Sequence, residues 1–210
     1  MLIHGAIVPP RAVLEAVDAV VRSVPVPLEG AAAPASKSLR GRLGRHRADR
    51  AEVPVMLEHV PVDEMRLPVT GFGNLTIPDA QRVSEVIREA AAEWAPATVR
   101  LAGGAALEFP DDWSVWARIE GDLDGLMTIG RGVPHAVERL GFFVDRRTFR
   151  PMLSVATVTR QTTGPFLQDV VDALEAFRGE EWPVELTLLR ESFVEGRTEF
   201  TEVERIVPGR

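Results

Sequence analysis

Two short runs of this chain carry polar or charged side chains at alternate positions, the spacing that puts them on one face of an extended strand. In Phe149-Arg150-Pro151-Met152-Leu153-Ser154-Val155 the shared face holds Arg150, Met152 and Ser154. In Met65-Arg66-Leu67-Pro68-Val69-Thr70 it holds Arg66, Pro68 and Thr70. One such strand in each half of the chain is what a cleft between two similar lobes requires. Guanidinium forks and hydroxyls are donors suited to phosphate, which makes Arg66, Arg150 and Ser154 the candidate phosphate-binding residues. The plainer alternative pairs Arg66 with a nearby carboxylate and leaves Arg150 as a solvated strand residue.

These runs carry a resemblance. The later one resembles the Arg-Pro-His-x-Thr-Leu strand of the two-histidine phosphoesterases, the superfamily of RNA 2′,3′-cyclic phosphodiesterases and 2′-5′ RNA ligases. The earlier one, with Gly71-Phe72-Gly73 after it, resembles that superfamily's Leu-His-x-Thr-Leu strand and the Phe-Leu-Gly turn that follows. Similar features continue along nearly the whole chain: an opening strand before Pro9-Pro10, Phe109-Pro110 ahead of Trp113-Ser114-Val115-Trp116, and Leu140-Gly141 before the second run. Leu189-Arg190-Glu191-Ser192 and Phe200 complete them. The resemblance implies an α+β, bilobal and pseudo-symmetric fold, with mixed or antiparallel sheets and outer helices around a central cleft. It implies one such domain over residues 1–210.

In that superfamily two facing imidazoles share the proton work of phosphodiester cleavage, one as base and one as acid, with no metal and no cofactor. Here Arg66 and Met152 stand where the histidines belong, and Pro68 and Ser154 where the hydroxyl residues belong; a register shift of two would align Pro68 and Thr70 with the first motif instead, still without a histidine. Methionine has no titratable proton, and arginine stays protonated near neutrality and can only donate. Each acid–base group typically contributes about 10²–10⁴-fold, so loss of both points to a catalytically degenerate member that binds a nucleotide or single-stranded RNA phosphate. Of the four histidines, His4 lies on a strand that lines the cleft in the superfamily and is the rescue candidate; its alternative is a partly buried structural role. His46 sits in a basic run, and His59 and His135 read as surface positions. Two rivals follow: an active phosphoesterase with altered groups, and a protein-interaction scaffold in which Met152 fills a dry former site.

Composition limits the other classes. The 210 residues are 45% hydrophobic and 26% charged, with no cysteine, which removes disulfides, thiolate metal sites and a cysteine nucleophile. There is no long apolar run and no signal-peptide pattern, so the expectation is a cytoplasmic protein without a membrane partner. Gly130-Arg131-Gly132 lacks the rest of a dinucleotide fingerprint, and phosphate-binding loops, zinc spacings and nucleophile elbows are missing. The net charge of −7 hides Lys37, Arg40, Arg42, Arg45, Arg47 and Arg50, which with Asp49 make a local +5 and leave −12 elsewhere. That run reads either as a nucleic-acid-binding loop or as a flexible solvated one, inside an insertion at about 29–50.

Positioning these residues requires alternating elements. Leu2 to Val8 reads as a strand, and Pro9-Pro10 opens a helix with a stripe through Val13, Leu14, Val17, Val20, Val21 and Val24. Strands are expected over 53–60 and 65–70, and Pro68 requires the latter to lie at an edge, at a bulge or facing the cleft. Thr76-Ile77-Pro78-Asp79 starts a second helix. Separate strands follow over 99–101, 106–109 and 113–119. A helix over 122–140 is weakened by Gly130, Gly132 and Pro134. A strand over 150–158, a helix capped by Thr163-Gly164-Pro165, and a closing antiparallel pair around Glu195-Gly196-Arg197 complete the chain.

Overall fold

A computed structural model describes residues 1–27, 55–109, 112–145 and 148–210. The first strand is Leu2–Ile7 (β1), which buries Ile3 and Ile7. Pro10, held in an extended conformation, precedes the helix Arg11–Ser23 (α1), whose buried stripe is Val13, Leu14, Val17 and Val21. Pro25 blocks its continuation. The expected insertion and its basic run lie outside the described residues.

The chain resumes with Leu57–His59 (β2), shorter than the sequence suggests, and Leu67–Asn74 (β3). Gly71-Phe72-Gly73 therefore belongs to β3 rather than to a turn after it. Two register shifts against β1 absorb the extra residues while Phe72 drops into the core. Thr76 caps Ile77–Ala91 (α2), accepting from the Asp79 backbone N–H at 3.3 Å. Thr98–Phe109 (β4) is one strand where two were expected. A bulge between Leu101 and Gly104 carries it through the Ala102-Gly103-Gly104 stretch. At Gly104 a Cβ would lie 2.5 Å from the Leu174 side chain, so the glycine permits close approach of a helix.

Asp112–Gly121 (β5) leads into Leu123–Val137 (α3), capped by Asp122 and closed by a 3₁₀ turn over Glu138–Leu140. The helix is continuous through the positions that read as interruptions. Gly130 lies beneath the Phe149 ring, where a Cβ would come within 2.3 Å, so its smallness serves packing. Met152–Val158 (β6), Gly164–Ala176 (α4), Trp182–Pro183 (β7), Leu186–Val194 (β8) and Arg197–Ile206 (β9) follow. β8 and β9 form the expected hairpin, turning at Glu195 and Gly196, both with positive φ as a tight hairpin turn demands.

The strands form two antiparallel sheets, ordered β3-β1-β8-β9 and β2-β6-β5-β4-β7. Helices α2 and α3 lie against the first, and α1 and α4 against the second. The chain thus crosses early: its first strand serves one sheet and its first helix the other. One apolar core joins them, from Ile3, Phe72 and Val133 to Leu153, Val170 and Leu174. Sheets with helices set outside them, as expected from the sequence, are the architecture found.

His59 is not the surface residue it resembled. It is half-buried on β2, with Nδ1 3.7 Å from Asp18 Oδ1, and Asp18 also holds Arg22 at 2.7 Å. Burial, and then the Arg22 charge, push its imidazole below the ordinary histidine value against the opposing pull of Asp18.

Two stability measurements check this packing. Gly130→Ala should lower stability by about 1–3 kcal/mol through overpacking against Phe149. Gly164→Ala, where a Cβ would meet open space, serves as the control in thermal unfolding. Because the folded state favours neutral His59, its contribution is present above the ordinary histidine pKa and lost as pH falls through the lowered one. Acidification from neutrality should therefore shift relative stability in favour of His59→Gln; a difference that stays constant with pH would contradict this.

Candidate functional site

The four-stranded sheet has one face in the core and one turned away from it. Ile3 and Ile7 of β1 and Leu67 of β3 point into the core and are almost wholly buried. Across the register, His4 lies beside Gly71 of β3 and Leu189 of β8, and Ala6 beside Pro68. Glu191 of β8 neighbours Leu2 on one side and Phe200 of β9 on the other. The outcome is a pocket of about 170 Å³ lined by His4, Arg66, Pro68, Thr70, Gly71 and Phe200. Arg66, Pro68 and Thr70 do share one side, as their spacing predicts. Pro68 sits in an edge strand, where its missing N–H costs the ladder nothing.

Arg66 is half-buried, and its guanidinium carbon lies 3.4 Å from the centroid of the Phe200 ring. Such a cation–π contact stabilises by about 0.5–2 kcal/mol and fixes the plane of the fork. Its Nη1 donates to the Glu64 carbonyl at 2.9 Å. Among the described residues no carboxylate comes within 4.0 Å of it. Burial pushes the guanidinium below the ordinary arginine value, although Glu64 and Glu191 pull the other way. It keeps its charge at neutrality and has donors left over.

His4 is the second polar group. Its Nε2 lies 2.7 Å from Glu191 Oε2, close enough for strong electrostatic attraction but without the alignment of a hydrogen bond. The ring meets Phe200 edge to face, with centroids 5.9 Å apart. Its Nδ1 lies on the Gly71 side, where a Cβ would approach to 3.4 Å. Phe200 therefore supports both groups, one by its face and one by its edge. Thr70 is already committed: its hydroxyl donates to the Asp145 carbonyl at 2.8 Å, and the Asp145 N–H donates to the Gly71 carbonyl at 2.9 Å. Toward the pocket Thr70 can only accept.

The second run folds as its alternation predicts, with Leu153 and Val155 buried and Met152 and Ser154 half-buried on the other face. Ser154 lies opposite Trp116 of β5, and Met152 opposite Arg118, which contacts Glu175. Arg150 is exposed just ahead of β6, and its carbonyl accepts from the Met152 N–H at 2.8 Å. Arg150, Met152 and Ser154 do not line the pocket that holds Arg66. His135 is exposed, 3.6 Å from Glu138, and His46 lies outside the described residues, as do Lys37, Arg40, Arg42, Arg45, Arg47 and Arg50.

Two residues at the site were missed as site residues: Phe200, which lines the pocket, and Glu191, which stands against His4 without lining it. Both sit far along the chain on a hairpin whose alternation is polar on both faces, so nothing local marks them. The arrangement offers one fixed cation and one imidazole–carboxylate pair. It can hold an anion and handle a single proton, but among the described residues the pocket holds no second imidazole to act as the opposite partner. Among the described residues no group of three or more His, Cys, Asp or Glu could hold a metal ion, and no helix is long and apolar enough to cross a membrane.

No protein-family model matches the chain, and no curated protein matches it. Solved structures do. Escherichia coli LigT complexed with 3′-AMP aligns at TM-score 0.63 and 17% identity, over 97% of this chain and 95% of its own. TT0787 of Thermus thermophilus aligns at TM-score 0.62 and 17% identity, over 98% and 97%. A protein described as a phosphoesterase aligns at 0.61 and 17%, over 98% of both chains. At this identity the likeness concerns architecture, and it covers nearly the whole chain: the chain has the α+β fold of these structures.

Proposed function

We propose that this protein binds the phosphate of a nucleotide or an RNA end on the LigT fold, and that it does so without the paired-imidazole chemistry of the two-histidine enzymes. The observation that carries this reading is Arg66. A guanidinium partly withdrawn from water, packed flat on Phe200 and lacking a contact carboxylate among the described residues, is a site short of an anion. The residue takes the place of a motif histidine, so the cation stands where the superfamily's phosphate chemistry occurs. Arg150 and Ser154 of the second lobe are proposed as further contacts to the ligand. LigT itself has been solved with phosphate, ATP and NADP+, which supports a nucleotide or phosphate as the ligand class. The choice of RNA rests on the basic run from Lys37 to Arg50 in the sequence.

Charge-assisted hydrogen bonds contribute about 1.5–3 kcal/mol, so Arg66→Ala should weaken binding of a nucleoside monophosphate by roughly 10- to 100-fold in titration calorimetry. An unchanged affinity would remove the pocket as a phosphate site. The purified protein should neither open 2′,3′-cyclic phosphates nor join 2′-5′ RNA; robust turnover that survives His4→Ala would contradict the loss of catalysis. Single-stranded RNA affinity should fall with salt, with a slope of about 0.7 per neutralised phosphate. Deleting residues 37–50 should make that slope shallower while leaving mononucleotide binding nearly unchanged.

A further inference from the structure

Resting on that reading, we propose that the pocket binds its anion together with a proton, taken up by His4 between Glu191 and the ligand. The pocket is not a simple cationic hole. It holds Arg66, but Glu191 stands beside it, 2.7 Å from His4 Nε2 and near enough to act on the Arg66 guanidinium. An anion that reaches the Arg66 fork also meets the field of that carboxylate. With neutral imidazole, Arg66 and Glu191 cancel, and the incoming charge is uncompensated. Protonation of His4 restores a net positive pocket.

The geometry lets one ring serve both sides. Nε2 is buried against Glu191, while Nδ1 makes no hydrogen bond among the described residues and lies beside Gly71. A side chain at Gly71 would crowd that nitrogen at 3.4 Å, and glycine leaves it uncovered. In the doubly protonated ring Nε2–H faces the carboxylate and Nδ1–H is left for the ligand. Among the described residues the other charged groups near the ring are Asp145, alongside Gly71 and with an interaction of its own, and Glu64, which acts on Arg66; β9 contributes the uncharged Phe200. Thr70 cannot replace the imidazole as donor because its proton goes to Asp145.

The size of the pocket sets the ligand class. About 170 Å³ is below the roughly 300–1,000 Å³ of sites that enclose a whole small molecule. It accommodates a terminal phosphoryl group, with the remainder of a nucleotide outside.

Inorganic sulfate is the deciding probe, because its charge is constant where imidazoles titrate and only the protein can then supply a pH dependence. Its affinity should fall as pH rises, by at most about tenfold per pH unit for the uptake of a single proton. Calorimetry on the unmodified protein in buffers of different ionisation enthalpy should register uptake of about one proton where the slope is steepest. His4→Gln should hold affinity near the alkaline value at every pH, and Glu191→Gln should raise the alkaline affinity. Sulfate binding that depends on Arg66 but shows neither slope nor proton uptake would overturn the coupling and leave the phosphate site intact. Failure of both sulfate and a nucleoside monophosphate to bind at any pH would overturn the site and the coupling together.

Discussion

β1 hydrogen-bonds to β3 on one side and to β8 on the other, so residues from opposite ends of the chain meet across a single strand. That pairing brings His4 to Glu191 and places Phe200 within reach of both His4 and Arg66. It also fixes which residues face away from the core, since a slip of one position would turn Ile3 and Ile7 outward and His4 inward. Burying those two isoleucines is worth several kcal/mol by area, roughly 1.5–3 kcal/mol each. The pocket is thus held in register by the apolar side of the sheet.

The polar side inherits that precision without contributing much to it. Arg66 stays on Phe200 by a contact of about 0.5–2 kcal/mol and a single described hydrogen bond to a carbonyl. Its remaining donors have no fixed partner among the described residues. A guanidinium in that position is desolvated by the fold and only partly compensated by distant carboxylates, an imbalance that an anion relieves. The second run differs in kind. Met152 brings no charge, and the cation opposite it, Arg118, already contacts Glu175.

What the sequence made legible follows from locality. Alternation in 65–70 and 152–155 correctly assigned which residues share a face, whereas Arg150 lies ahead of the strand before a bend at Pro151, and a proline lacking an N–H correctly placed its strand at an edge. Apolar stripes and the Thr76 cap located α1 and α2. Glycines misled where their role is tertiary. Gly104 and Gly130 read as breaks because nothing nearby in sequence announces the Leu174 and Phe149 side chains that occupy their missing Cβ positions. His59 misled for the same reason, since its burial depends on Asp18 and Arg22 of α1. Glu191 was invisible as a site residue because a carboxylate on a mostly exposed hairpin looks like any other until its partner on β1 is known.

The substitutions at the motif positions change what binding can accomplish. A pair of imidazoles changes protonation during the reaction, so its interactions strengthen as charge develops in the transition state. A guanidinium offers the same charge to substrate, transition state and product, and uniform binding of this kind yields affinity without rate. On the proposed reading, an arginine and a thioether in place of the two imidazoles would leave an ionic receptor where the resemblance implies an acid–base cleft. His4 departs from that pattern because it enters from β1, a strand that carries neither motif. On the same proposed reading, His4 with Glu191 behind it is a single imidazole, which does not supply the base and acid that phosphodiester cleavage needs together.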